Sequence, residues 1–204
     1  MRVKTLMFSL LMASLGHSVQ AKETPTPAGL DYCTVCHGSQ LMGNVNIGAP
    51  RLTDLSSWYV ERQLQNFKLG KRGSHPADKT GGEMMVMVGK LSDEQISEIA
   101  NWVTQTVSTK PKPMIEGDIH LGKEQYQSCA SCHGENGEGN KALGAPKLNG
   151  LNDWYLVTQL NHFRQGYRGT DESDIYGQQM KAASNVVLSE EDAANLATYI
   201  YQLK

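Results

Sequence analysis

The chain has 204 residues, of which 39% are hydrophobic and four are cysteines, and its formal net charge is −2. A near-neutral, slightly acidic balance argues against a nucleic-acid-binding protein, which calls for a basic surface. Beyond the N-terminal leader, no stretch has the length and apolar character of a membrane-spanning helix.

The first 21 residues are predicted to be a secretory signal peptide. Arg2 and Lys4 form a basic start, residues 5–15 an apolar stretch, and Ala21 closes a small-residue cleavage site. The alternative is an uncleaved amphipathic anchor. Cleavage near Ala21 predicts an exported protein whose formal charge is −4, because two basic residues leave with the leader.

Two copies of Cys-x-x-Cys-His, the attachment signature of c-type haem, account for all four cysteines. In this motif both thiols add across the vinyl groups of the porphyrin, and the adjacent imidazole ligates iron from one face. Disulfides or a zinc site are the alternatives. A zinc site would combine the two cysteine pairs, however, whereas each motif here lies in its own copy of a repeated unit. The sequence therefore predicts two covalent haems, with thiols and histidines from Cys33, Cys36, His37, Cys129, Cys132 and His133.

The chain is one unit repeated at an offset of 96 residues. The matched positions include residues 48–52 with 144–148, 58–59 with 154–155, 63–64 with 159–160, Phe67 with Phe163, and 72–73 with 168–169. The offset becomes 97 where 91–92 pairs with 188–189. The predicted organisation is a signal peptide 1–21, an N-terminal tail 22–28, domain 1 at 29–107, a Pro-containing linker 108–114, and domain 2 at 115–204.

Both repeats are predicted to be all-α. Middle helices are expected at 58–69 and 154–165, and a C-terminal helix in each repeat begins at a capping serine, Ser92 or Ser189. A short helix should lead into each Cys-x-x-Cys-His motif, most clearly at 122–131. The carbonyls of the two Gly-Ala-Pro segments are expected to accept a hydrogen bond from the ligating imidazole.

Further residues take supporting roles in this interpretation. The tryptophans and tyrosines at 58–59 and 154–155 are expected to pack in the haem pockets, and Arg72 and Arg168 to contact haem propionates. His75 and His162 have no histidine at the matched position, so both are expected to be surface or structural residues.

The sixth iron ligand decides the chemistry of each haem. Met180 is the only methionine in domain 2, and the offset of 96 leads from it to Met84. Met85 remains an alternative to Met84, because one residue was lost from the first copy somewhere between Met84 and Leu91. If Met84 is the ligand, Met85 and Met87 are expected to fill gaps in the core. Iron with six ligands has no open site, which predicts an electron carrier. The alternative is a di-haem enzyme or a dedicated subunit of one.

The paired motifs, Gly-Ala-Pro-Arg/Lys-Leu, Trp-Tyr, Arg-Gly, and Gly-x-x-Met before Leu-Ser resemble the di-haem cytochrome c4 family over residues 29–204. The resemblance implies two class I cytochrome c domains about a pseudo-twofold axis, with His37/Met84 and His133/Met180 as iron ligands. It also implies a periplasmic carrier between redox proteins, free or peripherally associated with the membrane. The donor would be a quinol-oxidising complex or a dehydrogenase, and the acceptor a haem–copper terminal oxidase. Residues 80–83 differ from the matched residues 176–179 of the second repeat, so Met85 stays an alternative to Met84 as the sixth ligand of the first haem.

Overall fold

The computed structural model describes residues 25–204, so the predicted signal peptide and its cleavage site lie outside the described residues. The first repeat contains helices α1 (Tyr32–His37), α2 (Ser57–Lys68), α3 (Lys79–Val88) and α4 (Asp93–Gln105). The second contains α5 (Ile119–His133), α6 (Asp153–Arg164), α7 (Ile175–Ala183) and α8 (Glu190–Gln202). Between 25 and 204 the only β-structure is two isolated bridges at matched positions, Asn44–Ala49 and Asn140–Ala145. The all-α prediction is confirmed.

The C-terminal helix of each repeat carries most of its core. Helix α4 buries Ile96, Ile99 and Val103 against α2, which follows from their spacing of three and four residues. Helix α8 packs in the same way against α5 and α6. Both helices begin with the predicted capping box, in which Ser92 or Ser189 accepts a hydrogen bond from the backbone N–H three residues later. Among the described residues, no helix is long and apolar enough to cross a bilayer.

The change of offset occurs later in the chain than the sequence suggested. The Leu91 N–H donates to the carbonyl of Val88, and the Val187 N–H donates to that of Ser184, so the offset of 96 still holds at these positions. Val187 is buried like Leu91, whereas Leu188 is 77% exposed directly before the capping serine. Leu188 is therefore the extra residue. The expectation that one residue was lost from the first copy between Met84 and Leu91 was wrong.

The helices that end in the Cys-x-x-Cys-His motifs differ in length. Helix α5 is 15 residues long, whereas α1 has only six and follows a turn in which Leu30 N–H donates to Pro27. The two motifs nevertheless occupy the same place, at the C-terminal end of the helix and directly before a glycine at positive φ.

Candidate haem sites

Each Cys-x-x-Cys-His motif ends in a buried histidine with one ring nitrogen already engaged. Nδ1 of His37 lies 2.7 Å from the carbonyl oxygen of Pro50, and Nδ1 of His133 lies 2.8 Å from that of Pro146. A carbonyl oxygen only accepts, so Nδ1 carries the proton and donates it, which leaves the Nε2 lone pair free to bind a metal. The predicted hydrogen bond to the Gly-Ala-Pro segments is confirmed.

The same burial favours the neutral imidazole. Burial lowers the pKa of both His37 and His133, and the hydrogen bonds to the proline carbonyls only partly offset this effect. Neutral imidazole is the form that ligates iron, so the environment presents each ring in the protonation state that the chemistry needs.

Glycines hold the segment after each histidine close to the Gly-Ala-Pro segment. The N–H of Gly43 donates to the carbonyl of His37, and that of Gly139 to the carbonyl of His133. Both glycines have positive φ, and a Cβ atom on either would lie 2.5 Å from the backbone nitrogen of Arg51 or Lys147. Only glycine fits such a close approach, and this packing brings the proline carbonyl to the imidazole.

The cysteine side chains lie beside these histidines and carry no disulfide. Cys33 and Cys129 are partly buried against the core, and Cys132 is exposed. Burial raises the pKa of Cys33 to about 11 and also raises the pKa of Cys129. Within residues 25–204 no group of three or more His, Cys, Asp or Glu side chains is arranged to hold a metal ion.

Met84 and Met180 occupy equivalent positions on α3 and α7. A Cβ on Gly73 would lie 3.0 Å from Cγ of Met85, and one on Gly169 would lie 3.0 Å from Cβ of Lys181. Met85 therefore takes the place of Lys181, and Met84 that of Met180. Both Met84 and Met180 are half-buried against the hydrophobic core. Because the extra residue is Leu188, the reason for considering Met85 no longer applies.

A network of hydrogen bonds that the sequence analysis missed joins the two repeats. Each buried arginine bonds the glutamine of its own repeat and both a glutamine and a tyrosine of the other. Arg72 donates to Gln63 (2.8 Å), Tyr155 (2.8 Å) and Gln159 (3.1 Å), and Arg168 to Gln159 (2.6 Å), Gln63 (2.8 Å) and Tyr59 (3.3 Å). The tyrosines, expected only to pack, thus hold the repeat boundary. The arginine, the glutamine and the tyrosine each recur at the offset of 96, and this repetition was the signal that the sequence offered. It does not say to which partner each side chain bonds.

The same arginines test whether the site fits haem. The Nε atoms of Arg72 and Arg168 are buried and have no hydrogen-bond partner among the described residues. A buried charged donor without a partner is costly, and a carboxylate is its best acceptor. Haem carries two propionate carboxylates, so the orphaned donors fit the predicted contact. The free Nε2 atoms and adjacent thiols fit the same group.

Comparison with known proteins agrees with this arrangement. The Cytochrome c family matches residues 28–106 and 119–204. Cytochrome c4 of Azotobacter vinelandii is 29% identical over 98% of this chain and 97% of its own length. The thiosulfate dehydrogenase electron acceptor of Stutzerimonas stutzeri is 30% identical, covering 90% of this chain and 86% of that protein.

Two further relatives extend the comparison. The Cbb3-type cytochrome c oxidase subunit FixP of Bradyrhizobium diazoefficiens is 29% identical over 87% of this chain and 68% of its own length. The crystal structure of reduced cytochrome c4 from Pseudomonas stutzeri superposes with a TM-score of 0.65, at 28% identity over 85% of this chain and 94% of that one. The chain therefore belongs to the cytochrome c family, as a di-haem protein of the cytochrome c4 group that binds two c-type haems covalently.

Proposed function

We propose that the protein is a periplasmic carrier that passes single electrons between redox proteins through two haem centres of one kind. Electron transfer is the role of the cytochrome c4 group to which the chain belongs. The observation that carries the proposal is the duplication of the whole donor set. His37 with Met84 and His133 with Met180 occupy matched positions, and each imidazole has Nδ1 engaged and Nε2 free.

The residues of the chain divide the work around each haem. The cysteine pairs, Cys33 with Cys36 and Cys129 with Cys132, form the thioether bonds. The haem supplies an iron that alternates between Fe(III) and Fe(II). The proline carbonyls hold the imidazole rings in a single tautomer and orientation.

The methionines complete the coordination and keep small molecules off the metal. With Met84 and Met180 as sixth ligands, no open position remains for a substrate, and a thioether ligand raises the potential of the centre. Arg72 and Arg168 would offer their unpaired Nε donors to haem propionates, and their positive charge would then compensate that of the carboxylates.

The names of two relatives support a class of electron donor and a class of electron acceptor. One is named as the electron acceptor of a thiosulfate dehydrogenase, which favours a dehydrogenase as donor, alongside the quinol-oxidising complex expected from the sequence. Another is named as a subunit of a cytochrome c oxidase, which favours a terminal oxidase of the haem–copper class as acceptor. The predicted leader supports a periplasmic location, with or without peripheral attachment to the membrane.

Absorption spectra of the exported protein and of two methionine variants test this proposal. The intact mass should include two haems, and the oxidised protein should show the methionine-to-Fe(III) charge-transfer band. Met84→Leu should remove about half of that band, because one of two centres loses its thioether ligand. Met85→Leu is the matched control, with the same change one residue away, and should leave the band intact. Five-coordinate, high-spin haem in the resting protein, or loss of half the band in the Met85 variant, would contradict the assignment.

A further inference from the structure

The boundary between the repeats contains a half-buried histidine that the haem sites do not use. His162 lies on α6, and its side chain is only 15% exposed. Its Nδ1 faces the first repeat, 3.6 Å from Oδ1 of Asp78, and has no hydrogen-bond partner. This separation is too long for a hydrogen bond. The ring and the carboxylate are thus opposed across the boundary without being bonded.

Asp78 connects this histidine to the helix that carries Met84. Its Oδ1 accepts a hydrogen bond from the N–H of Gly81 at 2.8 Å and so caps the N-terminus of α3. A second proton on the imidazole of His162 would give the ring a positive charge, so that it forms an ion pair with the facing carboxylate. The charge of His162 therefore acts directly on the carboxylate that caps α3.

The other half of the boundary lacks this arrangement. The residue at the position of His162 in the first repeat is the neutral Asn66, and the residue at the position of Asp78 is Asp174, which caps α7 through Gly177. The cation whose charge acts on Asp174 from across the boundary is Arg62, which does not titrate near neutral pH. Across the boundary, Asp174 thus interacts with a permanent cation, whereas Asp78 faces a group that gains and loses its charge, in addition to interacting with Arg72 of its own repeat.

The titratable groups that act most strongly on His162 are Asp78, Arg72, Arg168 and His75. Burial lowers the pKa of His162, Asp78 raises it, and Arg72, Arg168 and His75 lower it further, so the pKa lies below the ordinary value of 6.5. Tyr167 contacts the ring edge to face at 5.6 Å and stacks on His75 at 4.5 Å. His162 is therefore neutral at neutral pH, and its proton affinity is sensitive to any further negative charge nearby.

We propose that His162 takes up a proton when the protein is reduced and closes an ion pair with Asp78, so that the first-repeat centre responds to pH more strongly than the second. The inference rests on the proposed function of two electron-carrying haem centres. One electron from the donor protein lowers the charge of a centre by one, and one solvent proton binds the imidazole of His162; both leave on oxidation. By linkage, if reduction raises the proton affinity of His162, then the proton raises the reduction potential by the same coupling.

The test uses the complete protein with both haems. NMR titration of the His162 imidazole should give a higher pKa in the reduced than in the oxidised protein. Potentiometric titrations at a series of pH values should show the potential of the first centre rising more steeply than that of the second as the pH falls through that pKa. Equal pKa values in the two oxidation states, or a response of the second centre that equals or exceeds that of the first, would overturn the inference.

Variants isolate the histidine. His162→Asn installs the residue found at the matched position and should abolish the pH response; retention of the response would refute the proposal. His120→Asn removes an exposed histidine and should change nothing. Asp78→Asn keeps an oxygen for the α3 cap but removes the anion, so the pKa of His162 and the pH response should both move to lower pH. Failure of the proposed function would appear separately, as a missing charge-transfer band in the unmodified protein.

Discussion

Gly122→Ala is predicted to destabilise the second repeat, because Gly122 lies where α5 crosses α8. A Cβ at this position would be 2.1 Å from the carbonyl oxygen of Asn195 and 2.9 Å from Cβ of Tyr199. Non-bonded carbon contacts lie near 3.5–4.0 Å, so the two helices would have to separate by roughly 1 Å. Backbone atoms cannot rotate away, and the displaced α5 carries Cys129 and Cys132.

The expected magnitude follows from two opposing effects. Overpacking against backbone costs about 3 kcal/mol, the upper end of its usual range. The better helix propensity of alanine returns about 1 kcal/mol. The free energy of unfolding of the Gly122→Ala protein should therefore fall by about 2 kcal/mol.

Gly82→Ala provides the matched control. Gly82 is also a helical glycine, but its nearest neighbour to an added Cβ is the carbonyl oxygen of Gly73 at 3.7 Å, an ordinary contact. This variant should be neutral or more stable by about 0.5–1 kcal/mol. Guanidinium unfolding followed by far-ultraviolet circular dichroism measures both. An unchanged midpoint for Gly122→Ala, or equal shifts for the two variants, would refute the reasoning about the helix crossing.

Two further predictions concern tyrosine hydroxyls that form internal hydrogen bonds. Tyr126→Phe removes the 2.8 Å hydrogen bond that the tyrosine hydroxyl donates to the carbonyl of Gly134, directly after the second haem motif. The free energy of unfolding should therefore fall by about 1 kcal/mol. An unchanged unfolding midpoint would contradict this role of the hydroxyl. Tyr155→Phe removes an acceptor of Arg72 at 2.8 Å and should destabilise by about 1–2 kcal/mol. Tyr59→Phe is its control at the matched position, where the bond is 3.3 Å long, and a larger loss there than in Tyr155→Phe would contradict the geometry.

Features confined to one repeat were predictable from the sequence. The capping boxes at Ser92 and Ser189 and the apolar spacing of the C-terminal helices are local patterns, and both are present in the structure. The hydrogen bonds from His37 and His133 followed from the chemistry that a ligating imidazole requires. These features depend on residues whose relative positions a short segment determines.

Features that depend on how the repeats meet were not predictable in the same way. Arg72 and its partners are matched across the repeats, but a repeat pattern does not say that an arginine bonds to the other copy. The expectation that His162 is a surface or structural residue did not say that its half-buried side chain would face Asp78 of the other repeat. The sequence paired Leu91 with Leu188 because both residues are leucines. Burial and backbone hydrogen bonds instead pair Leu91 with Val187.

Proton NMR of the fully reduced protein tests the central claim, that both haem centres are closed by methionine. A methionine methyl group bound to low-spin Fe(II) haem is shifted strongly upfield by the ring current, so each such ligand gives one separate resonance. We predict two of these resonances, which Met84→Leu and Met180→Leu should remove one at a time. A single upfield methyl resonance, or none, would contradict the account of two matched electron-carrying centres.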